Sequence, residues 1–143
     1  MLFEKRIIRQ AYEYYKKSLE VAPKNPVSYH NAGMALLHMG RNAEAEAKFK
    51  EALSIKPDLV LTLRELSRLL IDQKRDIEAL ELLKKWASLH PNDITPLIES
   101  ANIELERGNT QRATEYIRRA QQISPQALGV QIRKYPQLQP FLR

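Results

Sequence analysis

The side chains that could do chemistry are few and scattered. The imidazoles are His30, His38 and His90; no two are four residues apart and none belongs to an HExxH, so the paired ligands of a helical zinc site are missing. There is no cysteine, which excludes thiolate metal ligands and disulfides and leaves the chain indifferent to redox compartment. Its four glycines are dispersed and build no phosphate-cradling loop. Carboxylates such as Glu44, Glu46 and Glu51 fall on helix faces expected to be solvated, without an opposed partner, and no nucleophile stands in a catalytic constellation. The residues therefore predict no catalytic group, no metal, no cofactor and no enzyme.

What positions these side chains is a repeat. Shifting the sequence by 34 residues superimposes Pro23, Pro57, Pro91 and Pro125, and with them Ala11, Ala45, Ala79 and Ala113. The clearest unit, 26–59, reads as two amphipathic helices joined at Gly40 and closed by Pro57. Asn25 and Pro26 supply its N-cap and first helical position, and Gly40 stands where a left-handed C-cap is wanted. The next unit, 60–93, predicts helices over about 60–73 and 76–89, with Lys74 where glycine stood, so that lysine must tolerate an unfavourable backbone or a looser turn. The unit 94–127 opens at Asp93 or Thr95, turns at Gly108 and ends at Pro125. Residues 1–25 match only the second half of a unit, one helix from about Phe3 to Val21; a cut from a larger protein and a lone capping helix both fit this. Beyond 127 a short helix is expected, which Pro136 and Pro140 stop from lengthening.

Composition is that of an ordinary folded chain: 143 residues, 43% hydrophobic and 28% charged. No apolar run approaches the length of about 20 residues that a membrane span needs, and the first ten residues lack a signal-peptide core, so a cytoplasmic location is the default expectation. The net charge of +6 is not spread along the chain. Residues 1–25 carry six basic and three acidic side chains, the three units are each balanced, and 128–143 carry three basic groups and no acid. The continuous basic stripe that phosphate binding wants is absent, which speaks against nucleic acid.

On these residues the chain resembles the tetratricopeptide repeat family, whose 34-residue unit is written W-x2-L-G-x2-Y, then A-x3-F, then P. Tyr29, Ala32, Gly33 and Leu36 hold the first group, Ala45 and Phe49 the second, and Pro57 closes. Leu63, Leu66, Ser67, Leu70, Ala79, Leu83 and Pro91 follow in the next unit, and Leu97, Ser100, Ala101, Ala113, Ile117 and Pro125 in the last. The resemblance implies an all-α fold, a right-handed α-solenoid of stacked antiparallel helix pairs, in a single domain of one half repeat, three repeats and a C-terminal helix and tail over 128–143. Small residues at Gly33, Ser67 and Ala101 let paired helices approach, and stability is a sum of neighbouring interfaces. Two departures stand out: Trp86 occupies the place of Ser18, Ala52 and Ala120, and Ser100 and Glu104 stand where leucine-like residues are usual. The indole is expected to fill the space left by Ser100.

The same resemblance implies binding of a protein or peptide in a concave groove lined by the first helices. The implied stripes are His30, Met34 and His38; then Arg64, Arg68 and Asp72; then Ile98, Asn102 and Glu106. Val27, Asn31, Leu61, Glu65, Thr95 and Glu99 border them. Arg64 and Arg68 are like charges one turn apart, a cost of a few tenths of a kcal/mol unless an anion lies between them. An acidic ligand residue could supply it, and so could Glu65 and Asp72. The clamp that grips the C-terminal carboxylate of heat-shock chaperones is absent, because His30, Met34, Glu65, Thr95 and Glu99 occupy its places. A scaffold or adaptor is the favoured function. An assembly region of a larger protein, with homo-oligomers or further repeats stacking on the ends, is the alternative, and RNA binding is the weakest reading.

Overall fold

A computed structural model describes residues 2–142, and every regular element among them is helical. The order is α1 (Leu2–Val21), α2 (Pro26–His38), α3 (Asn42–Ile55), α4 (Val60–Asp72), α5 (Asp76–Leu89), α6 (Thr95–Glu106), α7 (Thr110–Ile123) and α8 (Pro125–Gln131). Two 3₁₀ segments follow, Ile132–Lys134 and Pro136–Phe141. The helices pack in pairs, and no helix among the described residues is long and apolar enough to cross a membrane.

Local chemistry sets the boundaries. Asn25 accepts hydrogen bonds from the Val27 and Ser28 amides at 3.0 and 3.3 Å, which satisfies free donors at the start of α2. Asp93 accepts from the Thr95 amide at 3.0 Å at the start of α6, and Ser124 accepts from the Ala127 amide at 3.2 Å at the start of α8. The turns after α2, α4 and α6 each use one left-handed residue: Gly40 at φ 74°, Lys74 at φ 59° and Gly108 at φ 82°. Lys74 thus takes the unfavourable backbone, which costs an L-residue about 1–2 kcal/mol. Pro136 and Pro140 hold the tail in 3₁₀ turns instead of extending α8, because proline lacks the donor that an α-helix interior needs.

Within α4, between Leu69 and Leu70, the chain divides into two compact units. In the amino-terminal unit α1 packs on α2 and α2 on α3, around Tyr12, Ala32, Leu36, Ala45, Phe49 and Leu63. The approach of α2 to α3 needs Gly33: a Cβ there would lie 2.6 Å from Cε1 of Phe49. In the carboxy-terminal unit α6 packs on α5 and α7, and Ile94, Leu97, Ile98, Ala101, Ala113, Ile117 and Ala120 share one core with Leu128, Ile132 and Leu138 of the tail. Trp86 is buried there, and its indole N–H donates to the Asp93 carboxylate at 3.1 Å, tying the end of α5 to the start of α6.

The polar side chains inside are satisfied. The Ser67 hydroxyl donates to the Leu63 carbonyl at 2.6 Å and the Ser100 hydroxyl to the Pro96 carbonyl at 2.7 Å, the local back-bonding open to a small hydroxyl in a helix. Glu104, only 2% exposed, accepts from Asn109 at 2.5 Å and from Arg107 at 3.4 Å, so this carboxylate clips α6 to the turn before α7.

Candidate functional site

In the amino-terminal unit, α2 brings Asn31, Met34 and His38 to one face, and α1 sets Ile7, Ile8, Ala11 and Tyr15 opposite them. Together with Ala35 these bound an apolar trough of about 250 Å³. His30 lies one turn before Met34, half-buried, its ring 5.6 Å from that of Phe49 and its Nδ1 sharing a 2.9 Å hydrogen bond with the Thr62 hydroxyl. That bond ties α2 to α4. Burial holds the His30 imidazole below its ordinary pKa of 6.5; Glu65 opposes the shift and Arg64 adds to it. His38 is exposed at the end of α2, where its Nδ1–H donates to the Met34 carbonyl at 2.8 Å and fixes the ring over the last turn.

On α4, Glu65 is buried while both arginines are exposed. Its carboxylate takes Arg64 at 3.2 Å and Arg68 at 3.4 Å, one oxygen each. Of the two anions offered by the sequence, Glu65 is therefore the one that holds the guanidinium groups. One carboxylate serves two cations, so the exposed face of this turn keeps a positive excess. Val27 on α2 and Leu61 on α4 are both 53% exposed, and Asp72 is exposed at the end of α4.

A second concavity of about 450 Å³ adjoins the trough, sharing Ile8 and His38 with it. Lys5, Arg9, Glu13 and Arg41 stand around it, with Tyr12 and Met39 in its wall. Arg41 is held by Glu44 in a two-point ion pair at 2.7 and 2.5 Å and lies 5.3 Å over the Tyr12 ring. This cleft was not foreseen from residue spacing, although the surplus of three positive charges in residues 1–25 pointed to that helix.

The carboxy-terminal unit treats the equivalent face differently. Ile98 is 1% exposed, inside the core shared with the tail, and Asn102 accepts a hydrogen bond from the Gln137 side chain. Thr95 is half-buried and Glu106 is exposed, 3.8 Å from the Lys74 ammonium. Of the residues expected to line a groove, Asn31, Met34 and His38 line the trough, His30 packs against Phe49 and Thr62, and Ile98 lies in the core. No group of three or more histidine and acidic side chains that could hold a metal ion occurs among the described residues.

Two family models, each described as tetratricopeptide repeat, match the chain, one over residues 14–47 and the other over 36–98. No curated protein sequence matches it. Among solved structures it is similar to MamA, with a TM-score of 0.74 at 17% identity, covering 96% of this chain and 85% of that one. The 41-end form of MamA from Desulfovibrio magneticus RS-1 gives a TM-score of 0.73 at 18% identity, covering 94% of this chain and 79% of that one. Identities this low carry the fold alone.

Proposed function

Since the chain belongs to the tetratricopeptide repeat family, we propose that this protein-interaction scaffold holds a peptide or helix of a partner protein on the inner face of its first helices. The half repeat 1–25 and the repeats 26–59, 60–93 and 94–127 are its working units. The part of the face assigned to the ligand is the one in the amino-terminal unit: Val27, His30, Asn31, Met34 and His38 on α2, with Leu61, Arg64 and Arg68 on α4. A single observation carries this choice. Val27, His38, Leu61, Arg64 and Arg68 are exposed and His30, Asn31 and Met34 partly so, while buried Glu65 offers one carboxylate to two arginines. Such a surface suits a ligand with an apolar stretch for Val27, Met34 and Leu61 and an acidic side chain for the arginine pair. No step of this reading calls for a catalytic residue.

A display selection of random peptides on the immobilised chain tests it. Wild type is expected to enrich sequences that pair acidic with apolar residues, and the double variant Arg64→Glu, Arg68→Glu to lose them. Rim charges of this kind contribute roughly 0.2–1 kcal/mol each, so a several-fold loss of affinity is the expected scale. Equal enrichment on both proteins would remove the arginines from the site, and no enrichment on either would remove the groove.

A further inference from the structure

Between α5 and α7, with α6 beneath, lies a pocket of about 300 Å³ that the proposed groove does not use. Its apolar wall is Leu83, Ala87 and Leu97, with Ser100 and Tyr116 beside them, all within the carboxy-terminal unit. The hollow follows from side-chain size. Shifted by 34 residues, Leu83, Ala87 and Ser100 fall on Phe49, Leu53 and Leu66. Phe49 and Leu66 are at most 2% exposed, so the larger side chains are core at those places. Three positions lose volume together, and helices held by their other contacts do not close over the whole deficit. The Trp86 indole, expected to fill the space at Ser100, is not among the side chains that line this pocket; its N–H is held by Asp93.

The mouth of the pocket is cationic. Lys84 and Arg119 line it, are exposed, and make no ion pair among the described residues. Arg119 lies 5.8 Å over the Tyr116 ring, which holds its guanidinium beside the opening. An adjoining hollow of about 240 Å³ shares Tyr116 and Arg119 and carries two acids. Glu104 is already bound by Asn109 and Arg107, and Glu115 makes no ion pair with Arg119. Inside, the Ser100 hydroxyl gives its proton to the Pro96 carbonyl, so it has none for a ligand. A pocket apolar within and positive at its rim selects a molecule that is apolar at one end and anionic at the other. Its size lies at the small end of the roughly 300–1,000 Å³ typical of ligand pockets.

We propose that this pocket binds a small organic acid. A benzene-sized or branched aliphatic body lies against Leu83, Ala87 and Leu97, and the carboxylate sits between Lys84 and Arg119. The site uses no residue of α2 or α4, so it stands or falls apart from the peptide face and gives the scaffold a second, small-molecule ligand.

The test is a titration of the isotope-labelled full chain with phenylpropionate, read by amide chemical shifts. Saturable shifts centred on residues 83–88, 97–100 and 116–119 are expected, with a Kd on the order of 1 mM or below for so small a ligand. The uncharged phenylpropanol, which keeps the ring and lacks the carboxylate, should bind several-fold more weakly. Ser100→Leu restores the side chain that Leu66 supplies one repeat earlier; it should weaken binding at least tenfold while the chain melts no lower than wild type. Ala87→Leu is the second filling variant should the first disturb folding. Lys84→Gln with Arg119→Gln should weaken binding several-fold, and Arg64→Glu should leave it within twofold. No saturable shifts, equal affinity for phenylpropanol, or binding indifferent to both filling variants would overturn the proposal. Binding of a short peptide ending in phenylalanine, where the free acid does not bind, would overturn it too, by giving the pocket to a polypeptide.

Discussion

The two terminal segments of the chain meet the same physical problem in opposite ways. A helix pair in this family leaves apolar surface at its side, which something must cover. In the carboxy-terminal unit the chain covers its own: Leu128, Ile132 and Leu138 are at most 2% exposed against α6 and α7, and Gln137 bonds to Asn102. In the amino-terminal unit α1 leaves Leu2, Phe3 and Ile7 at 86, 72 and 48% exposure, with Tyr15 and Ala11 half-open. A residue at one repeat position is core or surface according to what stands beside it, and not according to its type. That is why the face of α6 under the tail is covered, while the trough between α1 and α2 is open among the described residues.

Equivalent substitutions at the two kinds of position sharpen the contrast. The largest effect is expected for Phe49→Ala, a loss of about 3–5 kcal/mol in urea unfolding, with the counterpart Tyr15→Ala costing about 1 kcal/mol because its side chain is only partly buried. Nearly equal losses would mean that α1 is as well covered as α3. Next comes the tail: Leu138→Ala should cost about 2–3 kcal/mol, and Ile7→Ala less than about 0.5. A tail variant without effect on the melting temperature would contradict a closed end.

The turns give a smaller effect and test whether one backbone geometry serves both units. Gly108→Ala should lose about 1–2 kcal/mol, because alanine at φ 82° meets the left-handed penalty. Lys74→Gly should gain up to about 1 kcal/mol by relieving the same strain, a change of sign that calorimetry reads directly. The smallest effect is electrostatic and confined to the amino-terminal unit. His30 has its pKa lowered by burial, so the unfolded chain binds the proton more readily. The stability that His30 contributes is complete above its ordinary value of 6.5 and falls away as pH drops below it. His30→Gln should flatten that part of the pH dependence of thermal unfolding, and an unchanged slope would assign it to another group.

Much of this was legible in residue order. The turn residues Gly40 and Gly108, the cap at Asn25 and the small position at Gly33 are local devices, and residue order finds them. The strained Lys74 was legible as well, as a lysine in glycine's place. Contacts between residues far apart in sequence were not. Ile98 falls on the implied ligand stripe by spacing, but the tail folds over α6 and buries it, which no periodicity within α6 records. The pairing of Glu65 with Arg64 and Arg68 is by contrast local, and Glu65 is one of the two anions that residue order offered them. The cleft at Lys5 and Arg9 needed α1 and α2 placed side by side before its charges had a common address.

The most direct test of the binding face is amide chemical-shift mapping on the isotope-labelled chain, titrated with an acidic peptide from the display selection. Shifts concentrated on α2 and the first turns of α4, around His30, Met34, Arg64 and Arg68, are the expected result. Shifts confined to the second helices α3, α5 and α7, with α2 and α4 silent, would contradict it.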